Sequence, residues 1–243
     1  MAAPKIRFLP AGDTALVIEF GDRIDRAVSD RVLGLRARLQ AKKLAGVVEI
    51  VATFRSLMVH YDPLRITSAQ LASNIRDLLQ GQESARRNAR LWRIPACYEG
   101  GHAPDLAEVA RRSGLSEEAV VKLHAGARYH VYMIGFVPGF AYMGDLPEPL
   151  RLPRRTDPRV RVPAGSVAIA AAMTAIYPME SPGGWHLIGN TPARLFDSAS
   201  AQPALLSPGD AVSFEPVSSS EHDQLRRRIH AGDWHVPCEP IEA

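Results

Sequence analysis

Glu180-Ser181-Pro182-Gly183-Gly184 sets a carboxylate and a hydroxyl on a stiff turn, beside two glycines whose N–H groups can approach an anion or oxyanion. Trp185 and His186 follow at once, and on an earlier strand-like run His130 and Tyr132 share one side. Histidine titrates near neutrality and a buried tyrosine donates. Glu180, His186 and Tyr132 are therefore the candidates for general acid, general base or hydrogen-bond donor. The run Phe136-Val137-Pro138-Gly139-Phe140 alternates rings with residues that fix or free the backbone, which suits rigid loops carrying flat aromatic walls. Phe136, Pro138, Gly139, Phe140, Ser166, Ser181, Gly183, Gly184 and Trp185 are the candidate binding residues, with Tyr132 as a further wall. Arg151, Arg154, Arg155, Arg159 and Arg161 crowd one loop-like stretch. Guanidinium forks match carboxylate or phosphate, and Arg155 and Arg161 are the candidate anion binders. Plainer roles compete at each place: tight barrel corners for Gly and Pro, satisfied strand histidines, a solvated basic edge.

Several familiar devices are missing. The sequence holds no Gly-x-x-x-x-Gly-Lys-Ser/Thr loop, no Gly-x-Gly-x-x-Gly, no Gly-x-Ser-x-Gly elbow and no His-Glu-x-x-His. Its 8 histidines lack tight ligand spacing and its 2 cysteines cannot complete a four-ligand site, so no metal is expected. The stretch Leu106 to His124 has the spacing of a helix-turn-helix, and a net charge of +3 invites a nucleic-acid reading. Glu117 and Glu118 would then open the recognition helix, where they repel phosphates, so a plain helical hairpin is expected and no nucleic-acid partner.

The 243 residues, 46% hydrophobic and 23% charged, suffice for one large or two modest cores. No apolar run approaches the roughly 18 residues that span a bilayer, and the amino terminus lacks a secretory pattern. The expectation is a cytoplasmic protein with no membrane partner.

The elements that must position the candidates read as α+β. Residues 1–82 form a strand–helix–strand–strand–helix unit: a strand at Ala15–Phe20, a helix with Val28, Val32, Leu35 and Leu39 on one face, strands at Val47–Val51 and Thr53–Tyr61, and a helix capped by Thr67 and Gln70. Residues 81–90 are polar and read as a linker. Residues 91–220 open with a strand at Leu91–Cys97 and the helical hairpin. Short strands follow at Tyr129–Ile134, Val160–Val162, Val167–Ala170, Ala175–Tyr177, Trp185–Ile188, Ala193–Phe196 and Ala211–Val217, the pattern of a barrel or sandwich. Residues 221–243 hold the rest of a helix begun near Ser219, and a loose proline-bearing tail from Asp233.

Three motifs, in order, resemble one family. Met133-Ile134-Gly135-Phe136-Val137-Pro138-Gly139-Phe140-Ala141-Tyr142, Val162-Pro163-Ala164-Gly165-Ser166-Val167-Ala168-Ile169-Ala170 and Tyr177-Pro178-Met179-Glu180-Ser181-Pro182-Gly183-Gly184-Trp185-His186-Leu187-Ile188-Gly189 are similar to the B subunit of bacterial 5-oxoprolinase. The same family is also labelled allophanate hydrolase subunit 1 and KipI-like, and corresponds to carboxyltransferase subdomains C and D of urea carboxylase. Leu9 to Leu16 and Leu57 to Pro63 resemble its amino-terminal domain. The resemblance implies a small amino-terminal α/β sandwich domain followed by a cyclophilin-like β-barrel. It implies a hydrolase subunit, inactive alone, that shares a site with a C subunit and, with an A subunit, opens the lactam 5-oxoproline to glutamate with ATP as co-substrate. Two alternatives come with it: a KipI-like protein restraining a histidine kinase, and a carboxyltransferase subunit of the urea-carboxylase type. Barrel analogy alone would add a prolyl isomerase.

The chain departs from the family at Ala170-Ala171-Ala172-Met173-Thr174-Ala175, where relatives commonly show Ala-Gly-Gly-Gln-Thr-Gly. Alanine is tolerated at a barrel corner if φ is negative there.

Overall fold

A computed structural model describes residues 6–80 and 89–241. The segment read as a linker lies outside the described residues up to Asn88, while Ala89 and Arg90 already belong to a strand. The chain divides into two compact units, Met1–Asn88 with Glu242–Ala243, and Ala89–Ile241.

In the first unit, alternating apolar residues build four strands: β1 (Arg7–Pro10), β2 (Ala15–Glu19), β3 (Val47–Ala52) and β4 (Ser56–Tyr61). They form an antiparallel sheet in the order β1-β2-β4-β3. Leu16 and Ile18 of β2 and Leu57, Val59 and Tyr61 of β4 share one face, because alternate residues point the same way. Helices α1 (Arg26–Lys42) and α2 (Ser68–Gln80) cover that face with Val32, Leu35, Leu39, Leu71 and Ile75. The Asp25 carboxylate starts α1 by accepting the N–H groups of Ala27 and Val28 at 2.8 and 3.3 Å. Strand β1 was not anticipated, and β4 begins at Ser56 rather than Thr53, whose N–H closes the β3–β4 turn on Ser56.

In the second unit β5 (Ala89–Cys97) is followed by helices α3 (Leu106–Ser113) and α4 (Glu117–Ala125). Strands β6 (Tyr129–Ile134), β7 (Ala141–Gly144), β8 (Arg159–Val162), β9 (Ser166–Ala170), β10 (Met173–Ile176), β11 (Ser181–Gly183), β12 (His186–Asn190) and β13 (Ala211–Val217) come next. Helix α5 (Ser219–Ala231) and strand β14 (Cys238–Ile241) complete it. The order β12-β9-β10-β7-β6-β13-β5 closes through pairing of β12 with β5, giving a barrel to which β14 adds on β5. All barrel neighbours are antiparallel except β13 and β5. Strands β8 and β11 pair separately as a two-stranded antiparallel sheet.

Strand β9 is buried on both faces, and its alternation splits the core. Val167 and Ile169 join Ile94, Val131, Met143, Val212 and Phe214 in the main cluster, with Val109 of α3 and Val120 of α4. Ala168 and Ala170 face the other way and meet Phe140, Ala175, Tyr177 and Trp185. The helical hairpin thus spends its apolar faces on the barrel, α3 against β12 and α4 against β13, with Glu117 and Glu118 left in solvent.

Two expectations fail here. Residues 193–196 are not a strand. Pro192 has no N–H, the Ala193 N–H is taken by Thr191 Oγ1 at 3.1 Å, and only Phe196 bridges to Ala204. The tail is not loose along 238–241, because β14 pairs antiparallel with Ala89–Trp92 and Glu239 bonds Arg93 at 2.7 Å. Among the described residues no helix is long and apolar enough to cross a membrane.

Candidate functional site

The β6–β7 loop is built to hold one ring in and one out. Pro138 and Gly139 occupy the centre of a turn closed by the Phe140 N–H on Val137 O at 3.1 Å, with Gly139 at φ 81°. A Cβ at Gly139 would lie 2.8 Å from Phe196 Cβ and 3.0 Å from Leu195 O, so glycine is required there. Phe140 is buried and Phe136 is 61% exposed at φ 72°, a conformation costly for a residue with a Cβ.

Around Phe140 the rings meet edge to face. Its centroid lies 5.4 Å from Phe136, 4.9 Å from Tyr142, 5.2 Å from Tyr177 and 6.0 Å from Trp185. Such pairs add to simple burial and fix ring orientation. With Ser181, Gly183, Gly184, Arg154 and Arg155 they line a cavity of about 470 Å³. The Tyr177 phenol packs where a Cβ on Gly183 would be 2.2 Å from its oxygen, and burial raises its pKa. Ser181 is buried and its Oγ has no hydrogen-bond partner among the described residues. A buried hydroxyl without a partner is uncommon and marks a place for a ligand or water.

The arginines divide by their partners. Asp105, just ahead of α3, is buried and receives both ends of the Arg159 fork at 2.9 and 2.7 Å, Arg155 Nη1 at 3.1 Å and the Leu187 N–H at 2.7 Å. Burial pulls its pKa up most strongly, yet the Arg159 and Leu187 hydrogen bonds and the two guanidinium charges outweigh it and leave it lowered. Arg155 lines the cavity with its charge already engaged. Arg154 stands 5.9 Å over the Trp185 ring and pairs with no carboxylate among the described residues. It is the cavity's available cation.

The sequence candidates sort accordingly. Phe136, Phe140, Ser181, Gly183, Gly184, Trp185 and Arg155 come together at the cavity. Pro138 and Gly139 shape its loop without lining it. Arg161 does not reach it: its fork grips Glu180 at 3.0 and 3.0 Å in an exposed pair beside the β8–β11 sheet, which removes both residues from the cavity. His186 is buried, and its Nε2 bonds Pro153 O at 2.9 Å while Nδ1 has no partner among the described residues. It is walled off from the cavity. Tyr132 packs closely against Gly144 and edge-on to His130 at 4.7 Å, so it belongs to the barrel packing and not to the wall. Ser166 is buried in β9 and does not line the cavity.

Four residues escaped the sequence reading as site members: Asp105, Tyr142, Tyr177 and Arg154. Tyr142 stands two positions after Phe140, a strand period that places both on one side. Asp105 carried no local signal, being about fifty residues from its partners. Among the described residues no group of three His, Cys, Asp or Glu converges to hold a metal ion.

Residues 6–206 match the family described as carboxyltransferase domain, subdomain C and D. The B subunit of 5-oxoprolinase from Bacillus subtilis is 38% identical over 222 residues, covering 87% of this chain and 92% of that protein. The crystal structure of TTHA0988 superimposes with a TM-score of 0.76 at 38% identity, covering 84% of this chain and 40% of that one. The urea amidolyase of K. lactis superimposes with a TM-score of 0.78 over 98% of this chain and 16% of its own, at 21% identity, a likeness of fold.

Proposed function

The chain belongs to the carboxyltransferase subdomain C and D family, and on that premise we propose that it is the B-type subunit of a 5-oxoprolinase. In this reading it contributes one wall of a lactam-opening site that a C-type subunit completes, with an A-type subunit and ATP as co-substrate of the complex. The observation that carries the reading is the aromatic cavity itself: five rings, with one guanidinium and one hydroxyl that have no partner among the described residues, line a space suited to a small flat anion.

The residues divide the work. The aromatic wall of the cavity packs against the lactam ring, Arg154 takes its carboxylate, and Ser181 Oγ bonds the amide edge. A lactam carbonyl is a poor electrophile. Transfer of the γ-phosphoryl group of ATP to its oxygen releases ADP and leaves a carbon that water attacks. The C–N bond then breaks with its proton going to nitrogen, which leaves an acyl phosphate, and a second water hydrolyses that to the open carboxylate and free phosphate. Exposed Phe136, held at positive φ on the rim, is the contact offered to the partner subunit. The TTHA0988 chain, of which this chain matches 40%, is long enough to carry a second such portion in one polypeptide.

The test is purification with and without the partner subunits, following 5-oxoproline-dependent ATP hydrolysis. The reading expects turnover only from the complete complex. Activity from the isolated chain, or none from the complex, contradicts it.

A further inference from the structure

A second cavity, of about 490 Å³, opens between the segment after β12 and helix α5. It shares no lining residue with the aromatic cavity. Its ionisable lining is entirely basic: Arg194 from the segment after β12, and His222, Arg226 and His230 from α5. The three α5 residues are spaced four apart, which puts them on one helical face. Arg194 and Arg226 each hold an aspartate three residues away, Asp197 and Asp223, both at 3.0 Å. These pairs are solvent-exposed and weak, so an anion can draw both guanidinium groups away from them.

The floor is fixed by a close approach. Gly165 sits at φ 80°, and a Cβ on it would lie 2.4 Å from Thr191 O and 3.1 Å from Asn190 Oδ1. Asn190 donates Nδ2 to Ala164 O at 3.2 Å, which turns its Oδ1 toward His222 Nε2 at 2.9 Å. An amide oxygen accepts, so Nε2 carries the imidazole proton and Nδ1 keeps a lone pair. That Nδ1 is buried with no hydrogen-bond partner among the described residues, since Asp223 is 3.7 Å away. His222, which lines the cavity, therefore holds an acceptor waiting for a donor.

We propose that this cavity binds the phosphate group of a small phosphorylated molecule, clamped between Arg194 and the Arg226 and His230 face of α5. A carboxylate is satisfied by one guanidinium fork; cations on two walls suit an oxyanion with three free oxygens. Phosphate monoanion also keeps a P–OH, a donor that a carboxylate lacks at neutral pH and that an imidazole lone pair accepts. The volume exceeds a bare phosphate, and Ile229, Pro192 and Ala193 give the organic part an apolar seat.

The experiment titrates the whole chain with inorganic phosphate at constant ionic strength, reading the imidazole NMR signals of His222 and His230, with succinate as the carboxylate probe. Expected is saturable binding, weakened about tenfold by Arg194→Gln and by Arg226→Gln, retained within a few-fold by Arg226→Lys, and untouched by Arg154→Gln in the aromatic cavity. Unchanged melting of each variant excludes misfolding as the cause. The proposal is overturned if no signal saturates by about 10 mM phosphate, if both glutamine variants bind as the parent does, or if succinate binds as tightly.

Discussion

The aromatic cavity and the seam around His124 are both rich in rings and polar atoms, yet they are finished to different degrees. In the seam every polar atom has a use. Thr174 Oγ1 donates to Ala168 O at 3.1 Å and so accepts from His124 Nε2 at 2.9 Å; Tyr98 donates to Nδ1 at 2.8 Å; Tyr129 donates to the His124 carbonyl at 2.8 Å. Among the described residues Ser181 Oγ in the cavity has no partner and Arg154 has no carboxylate, and Phe136 holds a costly φ in solvent. A closed network stabilises one structure, whereas unspent hydrogen-bonding capacity and strain on a rim mark where something else binds.

The largest effect should come from Asp105, which anchors the cavity's arginine loop to β12. Asp105→Asn leaves Arg159 and Arg155 without their counter-charge and removes the carboxylate that holds the Leu187 N–H. Chemical denaturation should show a loss of about 3 kcal/mol. A loss too small to measure would mean that Asp105 does not tie the arginine loop to β12.

Acid probes the seam itself. Burial drives the His124 pKa from 6.5 down to about 3. Below pH 6.5 the unfolded chain binds a proton that the folded chain refuses, so stability is full above that pH and falls as pH drops toward 3. The slope from this group is about 1.4 kcal/mol per pH unit. Denaturation between pH 7 and 4 should show it, and His124→Gln should flatten it; an equal slope in the variant would assign it elsewhere.

A smaller effect tests backbone strain. Ala171 stands where the family resemblance implies a glycine, and it sits exposed at φ 49° in the two-residue connection of β9 to β10, so the condition of negative φ is not met. Left-handed backbone costs a residue with a Cβ roughly 1–2 kcal/mol, partly offset by the greater freedom of glycine in the unfolded chain. Ala171→Gly should raise stability by about 0.5–1 kcal/mol, visible as a higher melting temperature. A lower one would show the turn is relaxed.

The fold was legible where period and punctuation agree. Strand β9, expected at Val167–Ala170, runs Ser166–Ala170, and α5, expected from near Ser219, begins there and stops at Gly232 at φ 78°. It was not legible where pairing overrides composition, as in β14, whose prolines suggested a loose end. At the site, residue types located the rings and turns, because Gly-Pro-aromatic loops have few other uses. They could not assign the charges. Which of five clustered arginines is free depends on Asp105 and Glu180, one of them remote in sequence, and that selected Arg154 over Arg155 and Arg161.

The most direct test of that selection measures the KM for 5-oxoproline in the complete complex for Arg154→Gln and Arg161→Gln side by side. The account predicts that Arg154→Gln raises KM about tenfold, the loss of one charge-assisted contact, with folding intact and Arg161→Gln matching the parent. An unchanged KM in Arg154→Gln, or an equal rise in Arg161→Gln, would contradict the aromatic cavity as the substrate's seat.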